Sequence, residues 1–181
     1  MRMMKWVIIS EDYLSYLRSL EPRIPNSKYG RYRFKPFFGG LFETDGMWYV
    51  TQVSSVKERH KRMKQSMDFL KIHEKKTDKL IAVINLNYMF LVPKSEFKYL
   101  EYNEIEEYRE FSSEKEKSQY IHFLKKEISL INELNVEAAA KKLYDLKNKY
   151  PENVIAERCI EFKELEKGAR EYEKCADWRI D

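Results

Sequence analysis

The stretch FFGGLFETDGMWYVTQVSSVKERHKRMK, residues 37–64, contains the strongest local signal for the fold. Apolar and aromatic residues typical of strands flank Thr44, Asp45 and Gly46, and an Asp-Gly step between such runs favours a tight hairpin turn. We therefore predict two antiparallel strands, Phe37–Glu43 and Met47–Val53. The second strand leads directly into polar residues, and the end of a strand presents such groups to solvent on a rigid base.

Four side chains suited to chemistry follow that strand within seven residues: Ser54, Ser55, Lys57 and His60. The same segment has one acid, Glu58, and further cations at Arg59, Lys61, Arg62 and Lys64. This balance favours a partner that carries phosphate. A second interpretation is a solvated basic turn in which the serines only cap a helical turn that begins near Val56. The local sequence leaves both interpretations open.

The segment PRIPNSKYGRYRFKP, residues 22–36, precedes the hairpin and has no apolar period, so we predict an extended loop. It contains no acid and five cations, which are Arg23, Lys28, Arg31, Arg33 and Lys35. Tyr29, Tyr32 and Phe34 lie between the cations, and this mixture suits single-stranded nucleic acid, whose bases stack on rings while its phosphates pair with cations. Alternatively, the rings fold back onto the core and the cations stay solvated.

Short apolar runs on both sides of this region extend the sheet. Residues 6–9 predict a strand, and Ser10 is placed to cap a helix that ends before Pro22. Further strands are predicted at residues 67–73, at the apolar run 80–92, which forms one strand or two, and at residues 96–102. Five to six strands with short connections favour a strongly twisted antiparallel sheet or a small barrel over a parallel sheet.

Beyond residue 103 the apolar residues recur with a helical period, and Asn135 and Pro151 mark breaks between helices. The fold class is therefore α+β, with an N-terminal helix and a helical C-terminal part. We expect one domain over residues 1–181, with a sheet core at about 5–102 and a helical extension at about 103–181. Cys159 and Cys175 fall in what reads as one helix, about 24 Å apart, so no disulfide between them is expected.

Composition supports a folded chain with a basic half. Of its 181 residues, 43% are hydrophobic and 14% aromatic, which excludes a disordered chain. Residues 1–100 carry a charge of +9 and the remainder −5, so the N-terminal half is the candidate binder of polyanions. No signal peptide or membrane span is recognisable, so we infer a cytoplasmic protein that does not contact membrane. Scattered histidines and the absence of a close cysteine pair predict no metal site.

Cutting RNA without a metal needs a base for the 2′-hydroxyl, an acid for the departing 5′-oxygen and charge beside the phosphate. Lys57 can supply charge or a proton, the serine hydroxyls can hydrogen-bond the phosphate, and His60 can titrate near neutral pH. The sequence does not allocate these roles.

Five segments in register resemble the ToxN/AbiQ family: IPNS at 24–27, KPFFG at 35–39, YVTQVSSVK at 49–57 with His60 beyond it, FLKIHE at 69–74 and INLNYMFLVP at 84–93. The resemblance implies an endoribonuclease toxin of a type III toxin–antitoxin system, acting in phage defence by abortive infection. Its inhibitor is then a small repeated antitoxin RNA, held with the toxin in a protein–RNA hetero-oligomer. The family motif of Thr or Ser, then Ser, any residue and Lys falls on Ser54, Ser55 and Lys57, with Val56 where some relatives have proline.

The resemblance also implies a fold like the MazF, Kid and CcdB toxins, and RNA contacts along the basic loop through Lys35. Whether Tyr29 or Tyr32 takes the family's tyrosine role stays open. The implied reaction needs no metal or other cofactor, cuts A-rich single-stranded RNA and leaves a 2′,3′-cyclic phosphate.

Two other functions fit parts of the sequence. A non-catalytic basic RNA-binding module explains the charge distribution and the aromatic loop without a role for Ser55 or Lys57. A helical protein-interaction domain over residues 113–174 explains only the C-terminal half.

Overall fold

A computed structural model of the protein describes residues 2–177. The strands are β1 (Lys5–Ile9), β2 (Phe37–Thr44), β3 (Met47–Ser55), β4 (Phe69–His73), β5 (Leu80–Asn85), β6 (Phe90–Val92) and β7 (Phe97–Tyr99). The helices are α1 (Glu11–Leu20), α2 (Glu58–Arg62), α3 (Glu114–Glu133), α4 (Val136–Lys149), α5 (Val154–Glu157) and α6 (Phe162–Asp177). The α+β class is confirmed. No helix within the described range is long and apolar enough to cross a membrane.

The Asp-Gly hairpin forms as predicted. Asp45 and Gly46 have φ angles of 52° and 76°, the left-handed values that a tight turn between twisted strands requires. Thr44 of β2 faces Met47 of β3, and Phe37 faces Gln52 at the far end of the pair. Glycine is needed at residue 46 because a side chain is strained at that backbone angle.

The sheet is open and has seven strands within residues 2–177, so the predicted five to six strands and the small barrel are corrected. Its order is β4-β5-β3-β2-β1-β7, with β6 also paired to β3. The extra strand arises because β3 is long enough to pair twice, with β6 over Trp48–Val50 and with β5 over Val53–Ser55. A 3₁₀ turn at Leu86–Tyr88 separates the two partner strands. The predicted likeness to MazF, Kid and CcdB stays a prediction.

Helices cover this sheet through buried apolar side chains. In α1, Ser10 caps the N-terminus by accepting a hydrogen bond from the Tyr13 N–H, and Tyr13, Leu14 and Leu17 are buried. Farther along the chain, α3 lies against β4, α4 against β2, and α6 against both β6 and α1. The Trp6 indole N–H donates to the Leu124 carbonyl at 2.9 Å, which joins β1 to α3.

The predicted helix breaks are present, but the cysteines do not share one helix. Asn135 caps α4, and Pro151 follows its end. Cys159 lies between α5 and α6, where the Ile160 N–H leaves the helical pattern and donates to the Asn87 carbonyl at 3.0 Å. Both cysteines are free, as expected, although the spacing argument behind that expectation was wrong.

Candidate active site

A cleft of about 180 Å³ opens between the ends of β3 and β5, the end of the 22–36 loop, and α3. It brings together two of the predicted catalytic residues, one predicted RNA-binding cation, one further carboxyl and a largely apolar wall. Its lining residues are Trp6, Phe34, Lys35, Pro36, Val53, Ser54, Ser55, Ile81, Ala82, Tyr120, Phe123, Leu124 and Glu127.

The serine pair occupies the last two positions of β3. Ser54 is half-buried, faces Val83 of β5, and its Oγ accepts a hydrogen bond from the Asn85 Nδ2 at 3.2 Å. Ser55 faces Ala82 and is exposed, and its hydroxyl makes no hydrogen bond within residues 2–177. The interpretation of both serines as helix caps is wrong, because α2 begins at Glu58 and the capping position belongs to Lys57.

His60 supports the turn that carries Lys57. The His60 Nδ1 accepts a hydrogen bond from the Lys57 backbone N–H at 3.1 Å, and its ring lies 5.5 Å from that of Phe69. Only 3% of the residue is exposed, and burial, with the charges of Arg59, Lys57 and Lys71, lowers its pKa. A neutral imidazole is therefore favoured there. Lys57 is exposed, and neither residue lines the cleft, so their catalytic roles stay predictions.

The rings of the 22–36 loop differ in their exposure to solvent. Phe34 is buried and stacks on Tyr108 at 5.1 Å between ring centroids, whereas Tyr29 and Tyr32 are 38% and 58% exposed. The Gln52 Nε2 in β3 donates to the carbonyls of Asn26 and Lys35, at 2.7 and 2.9 Å. These contacts hold both ends of the exposed tyrosine segment against the central strand.

The cations of the 22–36 loop differ in the side chains that contact them. The Arg33 guanidinium and the Lys35 Nζ lie 5.8 and 5.5 Å from the centre of the Tyr29 ring. Arg31 instead forms an ion pair with Glu110 at 2.9 Å. Burial, followed by the charges of Arg33 and Lys57, lowers the pKa of Lys35. Because the Lys57 charge acts on Lys35, the loop and the turn after β3 share one electrostatic field.

The predicted cations of the basic turn are all exposed and adjoin Lys57: Arg59, Lys61, Arg62 and Lys64. Lys61 pairs with Glu58 at 2.6 Å, and the Lys71 Nζ donates to the Lys61 carbonyl at 3.1 Å, which tethers α2 to β4. The turn therefore presents a positive surface beside the cleft without forming its wall.

Sequence reasoning missed the contribution of α3 to the cleft. The Tyr120 hydroxyl donates to the Phe34 carbonyl at 2.7 Å, and Glu127, two turns further on, is only 5% exposed. Burial raises the pKa of Glu127 to about 7. A signal was present, because Glu127 falls three residues after Leu124 in the apolar stripe of this helix, where a carboxyl is unusual.

The sequence matches the family Toxin ToxN, type III toxin–antitoxin system, over residues 5–170. The chain belongs to the ToxN family. The resemblance inferred from its motifs is therefore confirmed. Endoribonuclease ToxN of Pectobacterium atrosepticum is 31% identical over 101 residues, which span 54% of this chain and 59% of that protein.

Solved structures share the fold of this ToxN-family chain. One is a structure from a type III toxin–antitoxin system in which a non-coding RNA pseudoknot selectively inhibits the toxin. It has a TM-score of 0.74 and 23% sequence identity, and the match covers 95% of this chain and 99% of that chain. AbiQ, a lactococcal anti-phage endoribonuclease of a type III system, has a TM-score of 0.73 and 17% identity, covering 96% and 99%.

Proposed function

We propose that the protein is an endoribonuclease toxin that cuts single-stranded RNA in the cleft beside Ser54 and Ser55. The observation that carries the proposal is the pair of strand-end hydroxyls at a cleft that Lys35 also lines, together with the exposed tyrosines of the adjoining 22–36 loop. The ToxN family and its Pectobacterium relative, named an endoribonuclease, support the same activity.

The proposed reaction is attack by the 2′-hydroxyl oxygen on the adjacent phosphorus. The P–O5′ bond breaks, leaving a 2′,3′-cyclic phosphate on one fragment and a 5′-hydroxyl on the other. The hydroxyl of Ser55 donates to a phosphate oxygen, and Lys35 and Lys57 offset the negative charge that develops there. No step in this scheme needs a metal or a cofactor.

The proposed inhibitor is a small repeated antitoxin RNA that occupies the same basic surface as the substrate. Such a system would release its toxin during phage infection. The type III system that this chain resembles in fold is described with an inhibitory RNA pseudoknot, and the AbiQ toxin as anti-phage.

The alternative is an RNA-binding module without catalysis, because the tyrosines and cations bind RNA equally well if the serines are inert. The test is to incubate purified protein with A-rich single-stranded RNA in EDTA and to analyse the fragment ends. We expect fragments with cyclic phosphate and 5′-hydroxyl ends from the wild type. Binding without fragments would favour the module.

Lys57→Ala provides the variant for that assay. We expect it to abolish cleavage and leave the fold intact, because the exposed side chain makes no hydrogen bond within residues 2–177, and His60 is held by the Lys57 backbone N–H. Lys149→Ala, which changes an exposed lysine on α4 outside the predicted RNA-binding surface, serves as the matched control. Wild-type rates from Lys57→Ala would remove that residue from the mechanism.

A further inference from the structure

Glu127 is a buried carboxyl that lines the candidate cleft. It lies on α3 and is only 5% exposed, yet it lines the same cleft as Lys35, Ser54 and Ser55. Across residues 2–177 its carboxyl makes no hydrogen bond and no ion pair. A buried carboxylate in this condition is costly, so proteins rarely retain one without a use.

The groups around Glu127 allow it to exchange a proton near neutral pH. The loop contributes the Lys35 ammonium, which favours the ionised carboxylate, whereas burial acts more strongly in the opposite direction and raises the pKa to about 7. On α3 the Tyr120 phenol interacts electrostatically with Glu127 and with Arg109, and its hydroxyl donates to the Phe34 carbonyl. The sheet side of the cleft contributes the two serine hydroxyls, the Trp6 indole and aliphatic side chains.

Other residues of the site are less suited to moving a proton. His60 is buried outside the cleft and its Nδ1 is occupied by the Lys57 N–H. The serine hydroxyls do not titrate near neutral pH. Glu127 is the one carboxyl in the cleft lining within the described part of the chain.

We propose that Glu127 is the acid–base residue of the cleft and accepts the proton of the attacking 2′-hydroxyl. The inference rests on the proposed endoribonuclease function. The O2′–P bond forms as the P–O5′ bond breaks, and the proton from the 2′-hydroxyl passes to the carboxylate. The 5′-oxygen takes a proton from water, and the hydroxide left behind recovers the proton held by Glu127, so atoms and charge balance.

The test compares Glu127→Gln with the wild type in single-turnover cleavage of an A-rich RNA between pH 5 and 9. The wild-type rate should rise with pH through about 7, because the ionised carboxylate is the active form. Glu127→Gln should lower the rate about 10²–10⁴-fold and remove that rising limb. Its affinity for a 2′-deoxy analogue of the same RNA should stay unchanged, because the change removes a proton acceptor and keeps the shape.

Two further variants separate catalysis from structure. Glu133 lies on the same helix and is paired with Lys75 at the surface. Glu133→Gln should therefore retain the wild-type rate and pH profile. Glu127→Asp keeps a carboxyl, so its cleavage rate should still rise with pH, although the rate itself should be lower. If Glu127→Gln does not fold, Glu127→Asp replaces it in the comparison with the wild type.

The outcomes distinguish this inference from the function on which it rests. A wild-type protein that binds the RNA and does not cut it overturns the proposed function. A wild-type protein that cuts, with Glu127→Gln retaining the rate or the rising limb, overturns only the role of Glu127. A rate loss matched by weaker binding of the 2′-deoxy RNA would also overturn it, because a structural role would then suffice.

Discussion

At the scale of single residues, the two serines of the motif differ in the freedom of their hydroxyls. Ser54 already accepts a hydrogen bond from Asn85, whereas Ser55 is exposed and makes none within the described residues. We expect Ser55→Ala to lower the cleavage rate about 10²–10³-fold, the usual effect of losing one donor to a developing charge. Ser54→Ala should cost less. Single-turnover rates at saturating protein give the comparison, and equal, mild losses from both changes would contradict it.

The buried carboxyl of Glu127 should also make stability depend on pH. The raised pKa, about 7 in the fold against 4.5 for the unperturbed group, means that the folded state holds a proton that the unfolded chain releases. The resulting stabilisation is complete below about pH 4.5 and is lost as pH rises through about 7. The difference between these two pKa values corresponds to about 3 kcal/mol in the free energy of unfolding.

Urea denaturation of the wild type and Glu127→Gln at pH 5 and pH 8 measures this effect. The wild type should lose stability relative to the variant as pH rises, because glutamine carries no proton that can be released. Parallel pH dependence in the two proteins would show that the carboxyl has an ordinary pKa in the fold.

The sequence predicted where a residue lies along the backbone better than how its side chain packs. Ser54 and Ser55 were predictable because an apolar strand ends at them. The burial of His60 was not predictable, because it reflects how α2 packs, with the His60 ring against that of Phe69 in β4. Glu127 was overlooked because a helical period selects apolar residues and gives no reason for a carboxyl among them.

At the scale of elements, the 22–36 loop is the predicted path of RNA, and its cations can be tested together. Replacing Arg31, Arg33 and Lys35 with alanine should weaken RNA binding and flatten its salt dependence, each phosphate contact contributing a slope of about −0.7. Arg31 should contribute least, because it is already paired with Glu110.

Binding constants measured across a salt series give the slope directly. The matched control replaces three exposed lysines of the C-terminal helices, Lys141, Lys149 and Lys167, and should leave the slope unchanged. If the loop variant also keeps the wild-type slope, the RNA follows a different path.

Elements defined by local turn chemistry were predicted well. The Asp-Gly hairpin follows from two residues that accept positive φ, and the break at Asn135 follows from its capping side chain. The sequence left open whether residues 80–92 form one strand or two, because the apolar run is nearly continuous, and the structure divides it into β5 and β6. A tertiary contact accompanies the division: the Leu86 N–H donates to the Asp68 carbonyl at 2.9 Å.

At the scale of the whole molecule, the uneven charge predicts where an inhibitory RNA binds. A repeated antitoxin RNA should lie across the residue 23–35 loop and the residue 54–64 turn, because Lys35 and Lys57 belong to one positive field. Crosslinking of bound RNA should label Tyr29, Tyr32 or Lys61. Crosslinks confined to the acidic helices after residue 113 would contradict this placement.

The overall class followed from the sequence because strand and helix periods occupy separate halves of the chain. The openness of the sheet did not, because closure depends on whether the end strands meet, and β4 and β7 lie at opposite ends of the strand order. Nor could the cleft be predicted, since it forms only where α3 crosses back over the sheet ends.

The two hydrogen bonds from Gln52 join the predicted path of the RNA to the strand that ends in the serines. Gln52 lies two residues before Ser54 on the same strand and holds the loop at Asn26 and Lys35, on either side of the exposed tyrosines. If RNA bases stack on those rings as predicted, we expect them to lie at a constant distance from the strand-end hydroxyls. In the proposed reaction, this attachment of the loop would determine which phosphodiester is cut, whereas the groups in the cleft would determine how fast it is cut.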